Sequence, residues 1–220
     1  MTGPVRIGYE ADFAPLTFRE DGDACGFVIE ILTLIFARIG RTAEYIPVPL
    51  PDQEKALAAG TIDAIAFKAV IPERAAAYDF SAPITVSGAA WFARDGIITD
   101  GCPSPGSRIA TPGAGPLLAQ LRSRYPDFDY PAVGTYAEAL DAVIDGAADC
   151  AALNFHVGRY LAERDHPGIF SLPEAPFQTL DLAMATAKDK DASMMRDFDR
   201  ALAELGKDGT LRAVERRWIS

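Results

Sequence analysis

Apolar residues at positions 27, 28, 31, 32, 35, 36 and 39 recur at helical spacing, with Glu30 and Arg38 between them. This longest apolar stretch therefore reads as a buried core helix, stopped by Gly40. It falls short of the about 20 residues that a membrane span needs. Before it, Val5 to Tyr9 reads as a short strand, followed by a loop with Pro15 and a hairpin-like turn at Asp21-Gly22-Asp23. After it, Glu44 to Val48 forms a strand broken by Pro49-Leu50-Pro51. Asp52 is placed as the N-cap of a short helix reaching Ala59, closed by Gly60. Ile62 to Phe67 is the third strand and Ala89 to Arg94 a further one.

Gly96 to Ser107 then holds three glycines and two prolines, a passage between two lobes. A second α/β unit follows. Ile109 to Thr111 is a strand, and Pro112 to Pro116 turns into a helix over Leu117 to Arg124. Phe128 to Val133 is a strand, and Thr135 caps a helix over Tyr136 to Ile144. Asp149 to Asn154 is the next strand. Leu182 to Ala187 carries the chain back, and two terminal helices cover Ala192 to Leu205 and Leu211 to Trp218. Alternating strands and helices at this spacing argue for α/β architecture with mostly parallel sheets flanked by helices. The run from Gly60 to Ile65 is echoed by Gly146 to Ala151, which favours two lobes of like design over one large sheet.

A chain of 220 residues with 49% hydrophobic and 24% charged residues suits one large folded domain or two small ones. The net charge of −10 argues against a nucleic-acid partner, and Arg212, Arg216 and Arg217 read as a solvated helix face. Cys25, Cys102 and Cys150 have no metal-ligand spacing, so no metal site is expected; one pair could bridge, and Cys150 reads as a small buried hydrophobe. The start Met1-Thr2-Gly3 runs straight into a strand, as expected of a mature chain whose signal peptide has been removed.

The segments Phe13 to Phe18, Gly26 to Ile31, Ala59 to Ile65, Pro72-Glu73-Arg74 and Asp79 to Pro83 occur in an order that resembles the family 3 extracellular solute-binding proteins of bacterial ABC importers, polar amino acid group. The glycine turn at 113–115, Gly146 to Asn154, Lys207 to Leu211 and Trp218 continue the resemblance to the end of the chain. It implies a two-lobed periplasmic-binding-protein-like fold of type II with two crossover hinge segments. Lobe 1 would be 1–93 with 186–220, and lobe 2 the inserted 94–185. It implies a monomer without cofactor, in the periplasm or at the cell surface, that closes over a small solute and hands it to membrane permease subunits.

Arg74 offers a planar fork of donors matched to a carboxylate, and the resembling family uses an arginine at this place for that purpose. The resemblance places Lys68 and Ala69 beside it. Gly113, Ala114 and Gly115 lie in a loop where backbone N–H groups at a helix start favour negative charge. Phe13 would cover the apolar body of the solute, with Glu10 at its far end; each has a plainer alternative, a core ring and a solvated carboxylate. Asn154 departs from the family, which places an acidic residue there for an ammonium group; asparagine brings no charge. Near Arg74 a hydroxyl-rich run is replaced by Lys68 to Ile71, so a cation is added near the cleft or points to solvent. Both departures turn the expected solute from a plain amino acid toward an organic acid or modified amino acid.

Two other functions compete. Some proteins of this fold are dehydratases acting on cyclic carboxylates, for which Glu10 or Glu174 would serve as acid or base. His156 and His166 complete no Ser/His/Asp, Cys/His or HExxH arrangement, so no catalysis is expected. The fold also serves as the ligand-sensing domain of membrane receptors.

Overall fold

The structure is a computed structural model that describes residues 3–99, 101–113 and 117–219. The chain divides into two compact units, Met1–Val86 with Leu180–Ser220, and Ser87–Thr179.

The first unit opens with β1 (Val5–Tyr9) and a small sheet of β2 (Asp12–Phe13), β3 (Thr17–Glu20) and β4 (Asp23–Cys25). Asp21 and Gly22 between β3 and β4 both take positive φ, 51° and 96°, as a tight hairpin requires. Helix α1 (Phe27–Arg38) buries Phe27, Val28, Ile31, Leu32, Ile35 and Phe36, the apolar face expected from the spacing. Gly40 at φ 70° ends it. Then come β5 (Ala43–Pro47), α2 (Gln53–Ala58), β6 (Ala64–Ala69), α3 (Pro72–Ala75) and β7 (Tyr78–Phe80). The third strand begins two residues later than expected, because Asp63 turns its carboxylate and its N–H to Arg6 instead of joining the ladder.

The chain leaves this unit along β8 (Thr85–Phe92), which starts earlier than the expected Ala89. The second unit carries a short hairpin of β9 (Ile98–Thr99) and β10 (Cys102–Pro103), where only a linking passage was expected. It continues with β11 (Ile109–Pro112), α4 (Leu117–Arg124), β12 (Ala132–Val133), α5 (Tyr136–Ile144), β13 (Cys150–Asn154) and α6 (Phe155–Asp165). Of the strand expected over Phe128 to Val133, only the last two residues form one. Phe128 is instead buried beside Trp91 and stacked on Tyr125, ring centroids 5.1 Å apart. The chain returns through β14 (Gln178–Ala187) to α7 (Ala192–Lys207) and α8 (Thr210–Trp218).

Both units share one topology. In the first, β1 lies between parallel β5 and β6, with β14 antiparallel to β6. In the second, β11 lies between parallel β12 and β13, with β8 antiparallel to β13. The order is second, first, third, then an antiparallel strand in each case. Helix α1 packs against α7 and α8, and Phe36 meets Phe198 edge to face at 6.1 Å. In the second unit Phe92, Leu140 and Leu153 form one buried cluster, and Trp91, Ile109 and Cys150 another. Cys25, Cys102 and Cys150 are free thiols; Cys150 is buried, and burial pushes its pKa up.

Candidate functional site

One arginine–aspartate pair in each unit belongs to the scaffold. Arg6 donates from Nε and Nη2 to the two oxygens of Asp63 (3.0 Å each) and from Nη2 to the Gly60 carbonyl at 2.8 Å. Arg108 does the same to Asp149 (3.2 and 2.6 Å), with Nη1 on the Gly146 carbonyl at 2.7 Å. In each unit the arginine backbone N–H also reaches that aspartate. The clamp joins the start of the first strand to the start of the third. Its hydrogen bonds hold the Asp63 carboxyl down at about 2 and lower that of Asp149.

A different chemistry gathers in the first unit where β6 ends. Pro72 starts α3 where its missing N–H costs nothing. The helix carries Arg74, whose Nη1 donates to the Ala69 carbonyl at 3.3 Å. No ion pair of Arg74 is present among the described residues. Lys68, in β6, is buried to 4% exposure and does not point to solvent. Its Nζ lies 2.9 Å from Glu54 of α2 and 5.8 Å from the centre of the Tyr78 ring. Burial lowers the lysine pKa, whereas the lysine's hydrogen bond lowers that of Glu54. Arg74 is close enough to act electrostatically on Lys68, Glu54 and Tyr78.

Phe13 is half-buried, with its ring 5.9 Å from that of Phe67, itself half-buried in β6. Alternation along the strand puts Phe67 on the opposite face from Lys68. Glu10 is a staple: one oxygen accepts from the Ala11 N–H at 3.1 Å and the other from the Leu50 N–H at 2.6 Å, holding an exposed leucine. Glu54, Tyr78, Phe67 and Leu50 were not singled out from the sequence. A lysine inside an otherwise apolar strand was the available signal, because a buried ammonium requires a counter-charge.

In the second unit Thr111, next to last in β11, has a buried hydroxyl with no hydrogen-bond partner among the described residues. Gly113 beyond it is exposed, while Ala114 and Gly115 lie outside the described residues. Asn154 is half-buried and serves as the N-cap of α6. Its Oδ1 accepts from the N–H groups of His156 and Val157 (3.1 and 3.3 Å) and lies 3.2 Å from the Ser87 hydroxyl. His166 caps the other end of α6, with Nε2 3.2 Å from Asp141, and Glu174 is exposed. Among the described residues no cluster of three or more His, Cys, Asp or Glu gathers to hold a metal, and no helix is long and apolar enough to cross a membrane.

Residues 5–220 match the family model of bacterial extracellular solute-binding proteins, family 3. The chain belongs to that family. Among similar proteins is the L-cystine-binding protein TcyJ of Escherichia coli, 25% identical, with 99% of this chain and 83% of that protein covered. Two solved structures each superpose with a TM-score of 0.83 over 99% of this chain and 96% of theirs. One is the ancestral amino acid-binding protein AncCDT-1, a precursor of cyclohexadienyl dehydratase, 23% identical. The other is a histidine kinase sensor domain with similarity to periplasmic binding proteins, 24% identical. At these identities the structures show the fold: two-lobed, periplasmic-binding-protein-like. The function of the family is solute binding.

Proposed function

We propose that this family member is the substrate-binding component of an ABC-type importer, in the bacterial periplasm or at the cell surface. Its solute is small, polar and carboxylate-bearing, an organic acid or an amino acid derivative. The observation that carries this reading is Arg74: a guanidinium braced on the Ala69 carbonyl and without an ion pair among the described residues. A planar fork of donors so held is suited to receive a carboxylate in two-point fashion. The Phe13–Phe67 pair in the same unit offers apolar ring surface to the rest of the molecule.

Asn154 supports a solute that does not depend on an ammonium group. The residue has no charge, and its amide oxygen already serves two backbone N–H groups of α6. Lys68 adds no free cation, because Glu54 balances it. The clamps at Arg6 and Arg108 are occupied by their own aspartates and have no part in binding.

Calorimetric titration of the protein with small carboxylic acids and with their neutral amides tests the reading. The acids bind and the amides do not. Equal binding of acid and amide overturns the role given to Arg74, and tight binding of ordinary L-amino acids with no binding of organic acids overturns the solute class.

A further inference from the structure

The environment of Arg74 contains more charge than one arginine requires. The Lys68 side chain is 3% exposed and its ammonium is 2.9 Å from Glu54, whose side chain is 53% exposed. Lys68 is thus shut away from water, and its counter-ion must come from the protein or from a bound anion. The Tyr78 ring lies on the same ammonium, 5.8 Å from it to the ring centre. With Arg74 acting on the same three groups, the cluster contains two cations and one anion. One net positive charge remains.

We infer that Glu54 is a specificity-determining residue: by neutralising Lys68 beside Arg74, it limits this part of the first unit to a single net positive charge, which selects a solute presenting one carboxylate there over one presenting two. The inference rests on the reading of Arg74 as the carboxylate grip. A second carboxylate brought to the cluster meets Glu54 as a like charge and is repelled by it. Without the Glu54 charge the same carboxylate is attracted by the uncompensated charge of Lys68, and the discrimination reverses.

The test compares glutaramate with glutarate, and succinamate with succinate; the members of each pair have nearly the same shape and differ by one charge. Calorimetry gives the dissociation constants for the intact chain and for Glu54→Gln, a change that keeps an acceptor toward Lys68. The substitution raises the preference for the dicarboxylate at least tenfold. A second change, Lys68→Met in addition to Glu54→Gln, returns the net charge to one and the preference to that of the intact chain. An unchanged preference in Glu54→Gln overturns the inference. If Glu54→Gln alone fails to fold, a double variant whose preference differs tenfold from that of the intact chain does so too. Arg74→Gln separates the two levels. Loss of all binding in that variant with no change of preference in Glu54→Gln leaves the carboxylate reading standing and removes only the role of Glu54. Failure of the intact chain to bind any of the four probes overturns both.

Discussion

The two units share the same construction up to their strand ends and then diverge. Each has a central first strand flanked by the second and third, an antiparallel fourth, and an arginine locking the first strand to an aspartate before the third. At the ends of the strands the first unit sets out Glu10, Lys68 and Arg74, with Glu54 against the lysine. The second sets out Thr111 and Asn154, neither of them charged. What is repeated is scaffold; what is not repeated is the charge set out at the strand ends. A lowered aspartate pKa, which elsewhere points to a functional site, here marks the shared framework.

The largest effect comes from breaking the core of one unit. Phe36 is 1% exposed and packed on Phe198, and Phe36→Ala destabilises the protein by about 3–5 kcal/mol in denaturant unfolding. Leu140→Ala, in the core of the other unit, costs about 2–5 kcal/mol. Gly158→Ala probes the second unit by overpacking instead, since an added Cβ would lie 2.4 Å from the Phe92 ring; about 1–3 kcal/mol is lost.

The clamps come next. Asp63→Asn and Asp149→Asn each lower Tm, by about 5 °C, and leave solute affinity unchanged. Because Arg6 holds the Asp63 carboxyl at about 2, below the ordinary value of about 4, its contribution to stability is complete above about pH 4. It fades as the pH falls toward 2, and a pH series of thermal melts shows Asp63→Asn losing its disadvantage over that interval. A clamp variant that abolished binding while retaining the fold would break the division between scaffold and site.

The smallest effect is the sharpest contrast. Thr135 and Asp52 occupy equivalent places before the second helix of each unit. The Thr135 hydroxyl accepts from the Glu138 N–H at 3.1 Å, whereas the Asp52 side chain makes no capping hydrogen bond. Thr135→Ala costs about 1 kcal/mol and Asp52→Ala next to nothing, measured by chemical denaturation.

Much of this arrangement is legible in the residues alone. Helix α1 follows from its apolar spacing, α5 from Thr135, and the repeat from Gly60 and Gly146 with their following aspartates. Helix α6 is absent from the sequence reading, which takes Asn154 as the end of a strand and as a departure from the family, although asparagine before an amphipathic stretch is also an N-cap signal. The aromatic residues near Phe128 suggest a strand, but they pack on Trp91 and Tyr125 with little ladder. Arg74 could be singled out from its place among neighbouring motifs. Glu54 could not, because its pairing with Lys68 joins a helix to a strand across 13 intervening residues, and no local period records that contact.

The most direct measurement is a calorimetric titration of one carboxylic acid that binds the intact chain, repeated on Arg74→Gln and on Asp63→Asn. Arg74→Gln should weaken binding by about 100-fold, the scale of a charge-assisted pair of hydrogen bonds, with Tm within a degree or two of the intact protein. Asp63→Asn should lower Tm and keep the dissociation constant. Full affinity in Arg74→Gln, or loss of affinity in the folded Asp63→Asn variant, contradicts the account.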